Sequence, residues 1–563
     1  MTVTTDLPSW EARALDKKSR ILTSVPPQYI HSDLTHSTTD PSPVHSLAAQ
    51  YLTSEEVLIT SLDAPALLDL IAQGRFSSVQ VLNAYTHRAV IAHQLLNCCL
   101  EFPYAAALAR AEALDREFES NGKRTTGPLH GLPVSVKDQV RVVGTETTCG
   151  FVGNLGKKDE EDSLLVSILQ EAGAVVFVKT SLSIGCMWGE TVNNIIGTTS
   201  NPFNRSFSCG GSSGGEGALI GFCGSPMGIG SDIGGSIRSP SAYQGLWGLR
   251  PSSGRIPYSN ILNSMEGQET VASVVGPMSR SPASLVLFTK TVADAEPWLS
   301  DPKCQPVPWR DEIFRSVTSG RKLKIGIMHW DGIIFPQPPI RWGMEKLEAV
   351  LKAAGHEVIP WRIDQKAAIS ILTRVFASDA NGDIDRSRAV SGEPAQNLLT
   401  NASAAPPLTL LESWSLACER LAFQTEILKQ WKKTSKVGTS EDVMDVYLTP
   451  VNPAVAPRHG HYAKARYLGY TGTVNVLDFS SCTVPVGFVD PELHKADLGE
   501  ELDAAGKEIP KVTGDLDRHI RSIYEPDVYK GLPITMQVVG RRMEEEKVLG
   551  VATLLKELLK KSS

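Results

Sequence analysis

Apolar residues recur at different periods along the chain, and each period predicts an element. Residues 1–50 are polar and broken by Pro26, Pro27, Pro41 and Pro43, which predicts an N-terminal arm with one short helix over 8–20. From 54 to 120 the pattern is helical. Ser54 followed by Glu55 and Glu56 marks a helix start. In 64–74, Leu67, Leu70 and Ile71 take the spacing of an amphipathic helix, and Gly74 fits its C-terminal end. Further helices are predicted over 78–95 and 104–119. At 134–137 the residues VSVK alternate, so Val134 and Val136 face one side of a strand, and Ser135 and Lys137 the other. A helix over 162–173 and the apolar run AVVFVK at 174–179 complete a βαβ unit.

After 276 the rhythm resumes. A helix is expected over 281–293 and a strand over 323–329. Ile340, Met344, Leu347 and Leu351 define a helix over 338–354, and HEVIPW returns as a strand, a second βαβ unit. Helices over 366–378, 409–433 and 543–560 and strands over 446–449, 483–488 and 534–539 follow. The charged stretch 490–529 reads as a surface insertion. Predicted strands flank the middle of the chain on both sides. The expected fold class is therefore α/β, with one large domain over 51–563 built on a mixed sheet.

Bulk properties narrow the chemistry. The 563 residues carry a net charge of −7, which offers no basic footprint for nucleic acid. No apolar run approaches the ~20 residues that span a bilayer. No secretory signal is visible in residues 1–30, and the nine cysteines are irregularly spaced, so a reducing, cytoplasmic location is expected. CxxC, HExxH and EF-hand patterns are absent, and no metal site is expected.

The chemistry concentrates at 206–250, where glycine and serine crowd into two clusters, GGSSGG at 210–215 and DIGGSIR at 232–238. Glycine lets backbone approach a ligand closely. No phosphate-loop motif is present. Gly211-Ser212-Ser213-Gly214-Gly215 formally fits GxSxG, with Ser213 as nucleophile, but His329, His356, His459 and His461 have no persuasive context. The third option is a serine served by a neutral lysine. An ordinary lysine at pH 7 is about 3.4 pH units from half-neutral, a bias of roughly 4.6 kcal/mol, and burial supplies shifts of that size. Lys137 and Lys179 both end predicted buried strands. Spacing and burial leave the choice between them open.

The segments GPLHGLPVSVKD at 127–138, CGGSSGGEGALI at 209–220 and GSDIGGSIRSPSA at 230–242, in this order, resemble the amidase signature family, with a signature core over 127–280. TVNNIIGTTSNP, NSMEGQETVASVVGP and GLPITMQVVGRR are similar to its fungal acetamidase and general amidase branch, and GGSSGGEGALI also to fatty acid amide hydrolases. The resemblance implies a twisted sheet covered by helices on both faces. It implies Ser236 as nucleophile, Ser212 in a cis peptide as proton relay, and Lys137 as base. The backbone N–H groups of Ile233, Gly234, Gly235 and Ser236 would form the oxyanion hole, with Ser213 in support. Cys186, Met187 and Trp188 are candidates for the acyl pocket, though plain core packing explains them as well. Asp232, Arg238 and Glu216 are expected to brace the loop. The implied activity is hydrolysis of small carboxamides through an acyl-enzyme, with larger amides or esters as the alternative. No cofactor and no membrane anchor are expected. The expected partner is a small amide, and a homodimer is compatible with the sequence.

Overall fold

In the computed structural model, which describes residues 8–395, 406–437, 442–503 and 506–562, eleven strands join in one sheet. In chain order they are β1 (Cys99–Glu101), β2 (Pro133–Lys137), β3 (Val175–Thr180), β4 (Met227–Asp232), β5 (Trp247–Arg250), β6 (Val274–Ser279), β7 (Lys324–Ile327), β8 (Glu357–Pro360), β9 (Val446–Pro450), β10 (Ser481–Phe488) and β11 (Pro533–Val539). Across the sheet they run β1-β3-β2-β4-β6-β5-β10-β11-β9-β7-β8. β2 is parallel to β3 and β4, and β7 is parallel to β8 and β9. The other pairings are antiparallel. The fold is a mixed-sheet α/β domain.

Both expected βαβ crossovers are present. Helix Leu164–Glu171 joins β2 to β3, and helix Pro338–Ala353 joins β7 to β8. Every position of β2, β3, β4, β9 and β11 is buried, as in strands covered on both faces. Helix Ser78–Leu96 starts in a capping box in which Ser77 accepts from the Gln80 N–H and the Gln80 side chain accepts from the Ser77 N–H. Helix Leu410–Lys432 starts the same way on Thr409 and Glu412. Near the N-terminus, helix Trp10–Arg20 docks through Lys17, whose Nζ lies 2.7 Å from both Glu101 and Glu146. Residues 1–7 of the expected arm lie outside the described residues. The 490–529 stretch holds helices Asp515–Ser522 and Pro526–Tyr529.

β1, β4, β5 and β6 were not expected. β4 reads as loop because MGIGSD is poor in side chains. Glycine is nonetheless required there: a Cβ on Gly228 would stand 1.9 Å from Glu216 Oε2. Its absence lets β4 lie against helix Gly214–Gly221. β6 is disguised by Gly276 and Pro277. Helix Gly469–Leu477 was missed too, and it bears on the site. Among the described residues, no helix is long and apolar enough to cross a membrane.

Candidate active site

β3, β2 and β4 are neighbours, so the chain segments that leave their C-terminal ends meet at one place. Lys137 is the last residue of β2 and its side chain is 0% exposed. Its Nζ donates to Ser212 Oγ at 2.7 Å and to Ser231 Oγ at 2.8 Å. Ser231 Oγ in turn donates to Gln139 Oε1 at 2.6 Å. Among the described residues, no carboxylate is ion-paired with Lys137. Burial lowers the Lys137 pKa from its ordinary 10.5, against upward pulls from Cys186, Cys149 and Asp232.

Lys179, which pairs with Val136 on β2, points to the opposite face. Its Nζ donates to Glu146 O at 2.9 Å and Thr147 Oγ1 at 2.6 Å, with Asp159 at 3.9 Å. The geometry brings only Lys137 to the serines.

The Gly211–Ser212 peptide is cis. Ser212 O accepts from Ser183 N at 3.2 Å, and helix Gly214–Gly221 follows directly. Ser213 is buried and turned into β4: its Oγ lies 3.2 Å from both Ser231 O and Ser231 N. Among the described residues, no histidine bonds it.

Ser236 lies just beyond β4 and is partly exposed on a cavity of about 40 Å³. Cys186, Met187, Trp188, Ile233, Gly234 and Gly235 share that lining. Among the described residues, Ser236 Oγ makes no hydrogen bond, and Ser212 Oγ is held by Lys137. Met187, Phe376, Arg466 and Leu468 stand between this cavity and a neighbouring one of about 600 Å³.

The turn that carries Ser236 is held from one side by Asp232. Its carboxylate accepts from Gly235 N at 2.8 Å and Ile237 N at 3.1 Å. Burial raises the Asp232 pKa, but Arg238, 3.0 Å away and equally buried, outweighs it with Asn475 and holds the group at about 2. From the other side, Thr471 Oγ1 donates to Gly234 O at 2.7 Å. Gly235 has φ +128°, and a Cβ there would stand 2.7 Å from Thr471 Oγ1. The glycine is thus required by the backbone and by Thr471.

A family model for Amidase matches residues 80–549. The chain belongs to the Amidase family. The amidase is 42% identical to an acetamidase of Emericella nidulans, with 98% of each chain covered. It is 40% identical to an acetamidase of Aspergillus oryzae, over 98% of this chain and 99% of that one. Among solved structures it resembles a fatty acid amide hydrolase, at a TM-score of 0.86 and 32% identity, covering 98% of this chain and 95% of that one.

Several residues of the amidase site escaped sequence reasoning. Ser231 lies inside a quoted motif and Gln139 directly after one, and neither has a local pattern that marks it as a partner of Lys137. Thr471 and Asn475 are one helical turn apart on Gly469–Leu477. Asn475 bonds Asp232 at 2.9 Å and Arg238 at 2.6 Å, and Gln537 on β11 bonds Arg238 at 3.1 Å. Glu216 accepts from Ser135 at 2.6 Å and Thr180 at 2.8 Å, and burial, the dominant influence, pushes its pKa up to about 8.

Proposed function

We propose that this amidase hydrolyses small carboxamides such as acetamide through an acyl-enzyme on Ser236. One observation carries the reading: a fully buried lysine whose hydrogen-bond partners are serine hydroxyls, beside a serine open to a cavity. Lys137, whose pKa burial lowers, takes a proton from Ser212 in its neutral form. Ser212 takes one from Ser236, whose Oγ attacks the amide carbonyl. In this scheme the Ser236 hydroxyl passes its proton within hydrogen-bond reach of Ser212 in the reacting complex, where catalytic hydrogen bonds commonly tighten. The proton returns through Ser212 to the departing nitrogen, ammonia or an amine leaves, and water frees the carboxylate by the same relay.

Negative charge on the carbonyl oxygen meets backbone N–H groups of the 233–236 turn. Those of Ile233, Gly234 and Ser236 are the donors in this scheme, since the Gly235 N–H is occupied by Asp232. Each such donor is worth about 2.7–4 kcal/mol to the transition state. Substrate size follows from the cavity. A water needs roughly 10–15 Å³ of such space, so about 40 Å³ accommodates only a few heavy atoms. The acetamidase relatives support the same substrate class.

A second reading, hydrolysis of larger amides, is favoured by the 600 Å³ cavity behind Met187, Phe376 and Leu468. An ammonia-release screen over acetamide, longer aliphatic amides, aryl amides and fatty acid amides separates the two. Turnover of acetamide that disappears in Ser236→Ala supports the first. Turnover that survives this substitution rules out the acyl-enzyme scheme.

A further inference from the structure

Two thiols lie directly behind the lysine. Cys149 Sγ and Cys186 Sγ are 3.6 Å apart. The segments that carry them are clamped by a backbone bond, Gly185 N to Cys149 O, at 2.8 Å. Cys149 is anchored further by Asp138 Oδ2, which accepts from its N–H at 2.8 Å. The two thiols differ in access. Cys186 lines the cavity of Ser236 and is 5% exposed, whereas Cys149 is 1% exposed and does not line it. The other close pair, Cys98 and Cys99 at 3.7 Å, is fully buried and lines no such cavity.

Cys186 is also connected to the lysine. Its Sγ–H donates to Gln139 Oε1 at 3.2 Å. The same oxygen accepts from Ser231 Oγ, which accepts from Lys137 Nζ. Gln139 is fixed in place by Nε2 bonds to Tyr258 Oη at 3.1 Å and Leu262 O at 2.9 Å. One oxygen therefore joins the dithiol to the hydroxyl that holds Lys137.

We propose that Cys149 and Cys186 form a peroxide-reactive dithiol that closes to a disulfide and slows amide hydrolysis by disturbing Gln139 and, through Ser231, Lys137. A peroxide reaches Cys186 from the substrate cavity. The Cys186 thiolate attacks one peroxide oxygen, the O–O bond breaks, and the other oxygen leaves as water after taking a proton. The sulfenic acid on Cys186 is then attacked by Cys149. The S–S bond forms, and the sulfenic oxygen leaves as water with the Cys149 proton. Two thiols and one hydrogen peroxide become one disulfide and two waters. The sulfurs move from 3.6 Å to a bond of about 2.05 Å, and the Cys186 S–H bond to Gln139 is lost. The hydrogen bond with the Cys149 thiol is the largest influence that lowers the Cys186 pKa, to about 7 despite burial, which favours attack by Cys186.

This inference rests on the amide-hydrolase reading only for its effect on rate. The test treats the folded full chain with hydrogen peroxide, alkylates the remaining thiols, and maps the peptides while following acetamide turnover. The expected result is a Cys149–Cys186 disulfide, a fall in turnover of at least about tenfold from misplacement near the chemistry, and recovery with dithiothreitol. In Cys149→Ala, untreated turnover is retained. Peroxide then leaves Cys186 as a sulfenic acid trapped by dimedone. If both thiols remain alkylatable while peroxide oxidises other cysteines, the site is refuted. If the disulfide forms and turnover is unchanged, the coupling to Lys137 is refuted. Should Cys149→Ala misfold, the wild-type map and its reversal by dithiothreitol decide alone. Untreated enzyme without any amidase activity would sink the functional reading, yet leave the disulfide map readable.

Discussion

Lys137 ends β2 and Lys179 is the penultimate residue of the adjacent parallel strand β3, one register position apart and so on opposite faces: Lys137 pairs with Thr180, and Val136 with Lys179. Both side chains are 0% exposed. Both have pKa values lowered by burial. The difference lies in what opposes that burial. Around Lys179 the opposing charges are Asp138, Asp159 and Glu101. Around Lys137 the first two are thiols, followed by Asp232, whose charge Arg238 already engages. Burial alone therefore does not make a base. The carboxylates near Lys179 favour its ammonium form against burial. Lys137 donates to two serine hydroxyls and Lys179 to a backbone carbonyl and a threonine hydroxyl, and of the two only Lys137 has a serine relay within reach.

The largest test exchanges nothing but the two side chains. Lys137→Met is expected to lower kcat/KM for acetamide by about 10⁴-fold, the upper end for a lost general base, with the thermal midpoint little changed. Lys179→Met is expected to do the reverse. It leaves Glu146 O and Thr147 Oγ1 without their donor, a loss of about 1–3 kcal/mol, while kcat/KM stays near wild type in the folded fraction. Steady-state kinetics beside thermal melts read both. Equal kinetic losses in the two variants would erase the distinction.

The fold was largely legible because its long elements announce themselves by period: Pro338–Ala353, Ser78–Leu96 and both βαβ crossovers follow from apolar spacing. What failed was the glycine-rich part of the sheet. β4 has few side chains to show a period, because space against Glu216 forbids them. The site divided in the same way. Lys137, Ser212 and Ser236 were named through motif resemblance, since composition favours Lys179 equally. Thr471, Asn475 and Gln537 come from more than two hundred positions downstream of Ser236, and no local pattern ties them to it. Their role is created by the fold, which stacks the second half of the chain against the 233–236 turn.

A smaller loss is expected from the hydroxyls that distinguish the lysines. Ser231→Ala removes one of the two acceptors at Lys137 Nζ and one of the two donors to Gln139 Oε1. Kinetic loss of roughly 10–100-fold is expected, because the ammonium that forms as Lys137 accepts the proton lacks a hydrogen bond worth about 1.5–3 kcal/mol. Its counterpart at the other lysine, Thr147→Val, should cost stability and leave turnover unchanged. The pH profile sharpens the same contrast. A lysine must be neutral to accept a proton, so kcat/KM should rise with pH and level off above a midpoint below the ordinary 10.5. A flat profile across the neutral-to-alkaline range would remove Lys137 from the role of base.

The subtlest test lies at Glu216, which bonds Ser135 on β2 and Thr180 on β3, on the sheet face of Lys137 and opposite that of Lys179. Its folded pKa is raised from 4.5 to about 8, chiefly by burial. Between those values the folded carboxyl keeps a proton that the unfolded chain has released. Stability from this group therefore falls as pH rises through that window. Glu216→Gln keeps the shape and one acceptor but does not titrate. Its thermal midpoint relative to wild type should gain about 1–2 °C between the acid and alkaline ends of the window. Parallel melting profiles would mean that Glu216 is already an anion. An anion between β2 and β3 would favour the ammonium at Lys137 as Asp138, Asp159 and Glu101 do at Lys179, and the two strand ends would no longer differ in the property that separates a base from a brace.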